Sequence, residues 1–160
     1  MSGIYLITGG NLGDRAANLA EASRRLNLQV GRVLVSSALY ETAAWGREED
    51  PAYLNQVLEI DSDLEPRALL QACLEIEEAM GRIRSEKWAA RHVDIDLLFY
   101  GNRCMDEPGL HVPHPRLAQR RFVLEPLCEL APEFIDPRSG LAVRELLRLC
   151  PDSLPVRRLA

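Results

Sequence analysis

The run Val93-Asp94-Ile95-Asp96-Leu97-Leu98-Phe99-Tyr100 is rich in large apolar side chains, yet carries carboxylates at alternate positions. Read as a strand, it places Asp94 and Asp96 on one face with their Cα atoms roughly 6.6 Å apart. The surrounding Val, Ile, Leu and Phe residues suggest a central, buried strand, where a carboxylate pair is costly unless a cation compensates it. Two carboxylates so placed can share divalent cations. The preceding segment, Arg82 to His92, is dense in cations and could meet the anion that such a metal carries. The pairing points to phosphate chemistry.

A length of 160 residues with 47% apolar side chains fits one domain, 1–160, with a full-sized core. The formal charge of −5 argues against bulk nucleic-acid binding and leaves room for a local basic site. There is no long neutral apolar run and no charged-then-apolar leader, so neither a transmembrane helix nor a signal peptide is expected. The expectation is a soluble, cytoplasmic monomer that binds neither membrane nor nucleic acid. Cys73, Cys104, Cys128 and Cys150 are scattered without metal-binding spacing and read as small residues in or near the core.

In chain order, Ile4 to Thr8 reads as a strand ending at the turn-rich Gly9-Gly10-Asn11-Leu12-Gly13-Asp14. Asp14 can cap a helix from Arg15 to about Leu26 that buries Leu19, Ala22 and Leu26. The glycines lack both the Gly-Lys-Ser/Thr ending of a P-loop and a Gly-x-Gly-x-x-Gly series, so a structural turn is the better reading. Arg32 to Tyr40 and Tyr53 to Ile60 read as further strands. In the latter, Tyr53, Asn55, Val57 and Glu59 share one face. Glu41 to Ala52, with Gly46, an acidic run and Pro51, reads as a long surface loop.

Pro66 and Gly81 bracket a helix from Pro66 to Met80, with Leu69, Leu70, Cys73, Ile76 and Met80 as its buried stripe. Glu77 sits near that stripe and could face a pocket or solvent. After the Asp94/Asp96 strand come a turn at Gly101-Asn102, a short strand near Arg103 to Met105 and the proline-held Val112-Pro113-His114-Pro115. The basic cluster Arg116, Arg120 and Arg121 follows, then a turn at Arg138-Ser139-Gly140 and a helix from about Ala142 to Leu149. His92 and His111 read as structural or surface residues. The order β, α, β, β, α, β implies an α+β, ferredoxin-like core with C-terminal additions and a largely antiparallel sheet flanked by helices. That architecture hosts many activities.

The run Lys87 to Leu98, taken with Gly9 to Asp14, Tyr40-Glu41-Thr42, Pro51 to Asn55 and Val112 to Pro115, resembles one family, the 6-hydroxymethyl-7,8-dihydropterin pyrophosphokinases of folate biosynthesis. Lys87-Trp88-Ala89-Ala90-Arg91-His92-Val93-Asp94-Ile95-Asp96-Leu97-Leu98 is similar to the family signature. Gly9 to Asp14, Tyr40-Glu41-Thr42, Pro51-Ala52-Tyr53-Leu54-Asn55 and Val112 to Pro115 resemble further family motifs in order. The resemblance implies transfer of pyrophosphate from ATP to the pterin hydroxyl, with AMP as leaving group. It implies that Asp94 and Asp96 hold two Mg²⁺ ions, and that Arg82 and Arg91 reach the phosphates. Arg84 and Trp88 would belong to a loop that closes over ATP, with Glu77, His114 and Arg120 also contacting the nucleotide. Tyr53 and Phe122 would stack on the pterin, Asn55 would read its edge, and backbone groups at Thr42 and Trp45 would complete the reading.

The sequence departs from the family pattern in places. Gly10 stands for a common serine, Leu74 for a glutamine of some members, and Ala43, Ala44 and Ala90 for prolines, while Trp45 is bulkier than the usual aliphatic residue. Without the resemblance, the arginines could be a solvated loop and Tyr53 and Phe122 ordinary core aromatics. Two rival functions share the chemistry of the strand. One is a palm-type nucleotidyl transferase, which would release pyrophosphate. The other is a pterin- or nucleotide-binding module without turnover.

Overall fold

The computed structural model describes residues 2–43, 51–81 and 92–159. Strand β1 (Ile4–Gly10) leads through a short loop into helix α1 (Arg15–Gln29). The Asp14 carboxylate accepts the Ala17 N–H at 3.1 Å, satisfying one of the helix's free amides, and Leu19, Ala22 and Leu26 form the buried face. Strands β2 (Arg32–Ser36) and β3 (Tyr40–Thr42) follow, then β4 (Tyr53–Asp61). Helix α2 (Pro66–Ala79) opens with proline in its first turn and ends before Gly81 at φ +104°, a conformation in which glycine avoids the Cβ clash. Strand β5 (Asp94–Tyr100) comes next, and a hairpin of β6 (Met105–Glu107) and β7 (Leu110–Val112) follows it. The chain ends with α3 (Arg121–Leu130), α4 (Val143–Leu149) and β8 (Val156–Arg158).

The main sheet runs β5-β1-β4-β3-β8, with β2 also paired to β4, and every pairing among the described residues is antiparallel. This is the ferredoxin-like arrangement expected from the element order. Helices α1 and α2 cover one face, where Leu6, Leu58, Ile60 and Ile76 have no exposed surface. Truncating such a side chain to alanine typically costs about 2–5 kcal/mol. Helices α3 and α4 cover part of the other face, over Tyr5, Val57 and Phe99. A bulge in β5 opposite Tyr5/Leu6 turns both Leu98 and Phe99 toward that second core, while Ile95 and Leu97 face the first.

Several elements differ from the sequence reading. The predicted strand from Arg32 to Tyr40 is broken, because one extra residue separates the Ser36↔Leu58 pair from the Tyr40↔Asn55 pair. Ser37 fills the break, its hydroxyl accepting the Val57 N–H at 3.0 Å while its own N–H donates to Val57 O at 2.8 Å. Gly9 and Gly10 belong to β1 and not to the turn. Strand β5 is not central: among the described residues it pairs with β1 alone, at the end of the sheet. Its carboxylates are correspondingly open, Asp94 half-buried and Asp96 exposed, so they escape the full desolvation cost of a buried pair.

The reading also left out β7, β8 and α3. Pro126 lies inside α3, where it removes a backbone donor and argues against a helix. Burial of Val123, Leu124 and Leu127 overrides that local preference. Burial pushes the Cys73 thiol up to about 12, helped by the charges of Glu77 and Asp96, which fits an inert core residue. Cys104 is exposed, contrary to the expectation for all four cysteines.

An ionic knot ties three elements together around Glu41 of β3. Arg15 Nη1 donates to Glu41 Oε2 at 2.9 Å and to the Ala52 carbonyl at 2.8 Å, and Arg157 Nη2 donates to Glu41 Oε1 at 2.8 Å. The hydrogen bond from Arg15 foremost, with that from Arg157 and the charges of both arginines, holds the Glu41 carboxyl below the usual glutamate range against the opposing effect of burial. A depressed folded-state pKa contributes stability above the unfolded value, and that stability is lost as pH falls through the folded one. Glu41→Gln should therefore cost about 0.5–1 kcal/mol in urea unfolding at pH 7. The difference from wild type should shrink once pH drops below about 4.3, the ordinary glutamate value. A difference independent of pH would refute the charged role.

Candidate active site

Among the described residues, the end of the second sheet face that α3 and α4 leave open forms a cavity of about 360 Å³. Its floor is a single row of residues set by strand register. Asp94 of β5 lies opposite Gly9 of β1, and Gly9 lies opposite Asn55 of β4. In the adjacent rows, Asp96 pairs with Ile7 and Tyr53 pairs with Thr42. Adjacent strands are about 4.8 Å apart, so the carboxylates and Asn55 stand on the order of 10 Å from each other across the glycine.

Gly9 makes this row a surface. A Cβ built there would lie 2.2 Å from Asn55 Oδ1, so the Asn55 amide occupies the space that a side chain at position 9 would need. Asn55 is 7% exposed and Thr42 is 5% exposed, whereas Tyr53 is 38% exposed at the mouth. That exposure removes Tyr53 from the class of ordinary core aromatics. Phe122, half-buried at the start of α3, lines the opposing wall, with the Arg120 guanidinium 5.7 Å from its ring centroid.

His114 is carried in by the loop after β7, which the Val112–Pro113 cis peptide opens. Its N–H donates to Leu98 O at 3.0 Å, tying the loop to β5. The ring Nδ1 accepts the Arg116 N–H at 3.2 Å, which leaves the proton on Nε2 in the neutral ring. Burial, and then Arg120 and Arg116, lower the His114 pKa, while Asp96 opposes them. A neutral imidazole at pH 7 follows.

The cavity thus brings together Thr42, Tyr53, Asn55, Asp94, Asp96, His114, Arg120 and Phe122 of the residues expected from sequence. Glu77 is elsewhere. It is 4% exposed on α2 and is not among the lining side chains, and its Oε2 accepts the Ile95 N–H at 2.7 Å. That bond grips the backbone of β5 between the two aspartates. Trp45, Arg82, Arg84, Lys87, Trp88 and Arg91 lie outside the described residues. The lining also includes Gly9, Ile7 and Leu154, which sequence reasoning did not assign to a site. Gly9 could have been found only from the register that sets it against Asn55. Leu154 belongs to no motif.

Asp94 and Asp96 offer two oxygen donors on one face beside Arg120, and no third His, Cys, Asp or Glu forms a metal cluster with them among the described residues. This donor set suits a hard cation such as Mg²⁺, which is commonly held by one or two carboxylates with substrate phosphates and water completing its shell. The chemistry available is therefore anion binding at one end and recognition of a flat heterocycle at the other.

Comparison with known proteins agrees with this geometry. Residues 5–132 match the family model for 7,8-dihydro-6-hydroxymethylpterin-pyrophosphokinase (HPPK). The 2-amino-4-hydroxy-6-hydroxymethyldihydropteridine pyrophosphokinase of Methylorubrum extorquens is 42% identical over 148 residues, covering 92% of each chain. That of Synechocystis sp. is 43% identical over 140 residues, covering 87% of this chain and 71% of the relative. Among solved structures, Plasmodium falciparum HPPK-DHPS with pterin and p-hydroxybenzoate superposes with a TM-score of 0.72 at 16% identity. That match covers 91% of this chain and 43% of the longer one, so this chain spans about two fifths of it, and the likeness shows the fold. The extent of the family match and the identity to full-length relatives together establish that the chain belongs to the HPPK family.

Proposed function

We propose that the cavity over β5, β1 and β4 is where this chain transfers pyrophosphate from ATP to the hydroxyl of 6-hydroxymethyl-7,8-dihydropterin, with AMP leaving. The transfer itself, a step of folate biosynthesis, comes with family membership. The observation that carries its location is the row Asp94, Gly9, Asn55, which sets carboxylates and an amide on one floor. We propose further that the chain acts as one monomeric domain on small molecules in the cytoplasm, without nucleic acid. Among the described residues no helix is long and apolar enough to cross a membrane.

Asn55 presents an amide whose oxygen accepts and whose nitrogen donates, matching the guanine-like edge of a pterin. Tyr53 and Phe122 lie against the ring faces, and Thr42 offers backbone groups beside Asn55. Arg120 and the neutral His114, through Nε2–H, donate to phosphate oxygens. Arg82 and Arg91 are assigned to the phosphates, and Trp45, Arg84 and Trp88 to the two loops, on sequence alone. Glu77, placed beside ATP by resemblance, is more directly read as a positioning residue that fixes the backbone of β5. Asp94 and Asp96 would hold two Mg²⁺ ions, which would supply positive charge to offset that of the triphosphate. With substrates so placed, the reaction is driven by proximity and charge compensation.

Incubation with ATP, Mg²⁺ and the hydroxymethyl dihydropterin should yield AMP in a pterin-dependent manner. Release of pyrophosphate would mark a nucleotidyl transferase, and binding without turnover would mark a passive module. Asp94→Asn or Asp96→Asn should lower kcat at least about a hundredfold with unfolding unchanged. Full activity in both variants would remove the cation from this site.

Gly9→Ala provides a separate check on the floor of the cavity. The added methyl must displace the Asn55 amide, so the KM for the pterin should rise about tenfold or more while the KM for ATP stays within about twofold. Steady-state kinetics with each substrate varied in turn measures both. An unchanged pterin KM would show that Asn55 does not read the ring.

A further inference from the structure

The family model ends at residue 132, yet the chain beyond it returns to the cavity. Strand β8 adds to the edge of β3 with Val156 opposite Thr42, Arg157 opposite Glu41 and Arg158 opposite Tyr40. Leu159 N–H donates to Leu39 O at 2.8 Å, and Arg157 joins the Glu41 knot at 2.8 Å. Asp152 secures the near end of the same segment to α3. Its Oδ2 accepts the Arg121 N–H at 3.1 Å, and its backbone carbonyl accepts Arg121 Nε at 2.8 Å.

Both anchors are on elements that line the cavity. Helix α3 carries Phe122, and β3 carries Thr42. Between the anchors, Asp152 Oδ1 accepts the Leu154 N–H at 3.0 Å in a local turn, and Leu154 lines the cavity, half-buried. An aliphatic side chain there, with Ile7 and Val123 elsewhere in the same lining, adds dry wall to a site whose polar donors come from Asn55 and Thr42. Dry walls raise the return from stacking and from each hydrogen bond made inside them.

We infer that residues 152–158 form a strap across the heterocycle end of the cavity, and that Leu154 is a pterin-contacting residue that sets affinity for the flat ring. The inference rests on reading the cavity as the pterin site. It assigns Leu154 to one substrate and not the other, because the strap meets β3 and α3 on the side of the cavity away from Asp94 and Asp96.

The test uses the full chain carrying Leu154→Ala, Leu154→Phe or Leu154→Met. Binding of 6-hydroxymethylpterin is followed by its fluorescence, steady-state KM values for pterin and ATP are measured separately, and thermal unfolding is recorded for each variant. Leu154→Ala should weaken pterin binding about five- to tenfold and raise the pterin KM in parallel, with the ATP KM within about twofold. Leu154→Phe, which keeps an apolar side chain but narrows the cavity, should also weaken the pterin alone, and decides the matter should the alanine variant unfold. Leu154→Met should restore binding to within about twofold. Pterin affinity unchanged in both Ala and Phe variants, or pterin and ATP KM rising together, overturns the inference while leaving the cavity assignment standing. Wild-type protein that binds no pterin overturns the cavity assignment itself, and the inference with it.

Discussion

The antiparallel register of β1 between β5 and β4 sets Gly9 opposite both Asp94 and Asn55, and the candidate site depends on that coincidence. A one-residue slip of either partner would send the carboxylates or the amide to the opposite face of the sheet, against α1 and α2. The register is held by the apolar residues of the strands, whose alternate members fill two separate cores. Leu6, Leu58 and Ile60 belong to one, Tyr5 and Val57 to the other. Packing on both faces therefore fixes which polar side chains reach the cavity.

Charge is distributed along this floor in a way that limits its cost. Asp94 and Asp96 stand at the open end of the sheet, beside Arg120 and an imidazole whose proton faces away from Arg116. Deep burial of two carboxylates would carry a penalty of several kcal/mol per ion, which the exposure of this end of β5 avoids. The buried Glu77 accepts the backbone N–H of Ile95. It stiffens, from α2, the strand that carries the aspartates.

How much of this was legible in the sequence depends on the range of the interaction involved. The Asp14 cap, the Leu19-Ala22-Leu26 stripe and the Pro66 and Gly81 brackets are local, and they read directly. So did the shared face of Tyr53 and Asn55, since alternation along one strand needs no partner. The end position of β5 did not, because an apolar strand looks the same whether strands or loops and helices cover it. Gly9 looked like turn chemistry until its partner was known. Helix α3 was hidden by Pro126, whose local cost is overridden by packing of Val123, Leu124 and Leu127 on the sheet. The arginines and tryptophans assigned to the two loops rest on resemblance alone.

The C-terminal additions explain why a ferredoxin-like sheet has a cavity here at all. In such a core the two crossover helices protect one face and leave the other to be covered by something else. Helices α3 and α4 cover the Tyr5, Phe99 and Phe134 end, where the ring centroids of Phe99 and Phe134 are 4.8 Å apart. Phe122 and Val123 of α3 share the cavity with Gly9 and Asn55, and the returning tail, paired with β3, brings Leu154 to the same lining. The depth of the cavity is thus the difference between what the added helices cover and what the sheet exposes. A side chain on the tail, far from every motif in sequence, becomes part of the wall because that segment is held both to β3 and to α3.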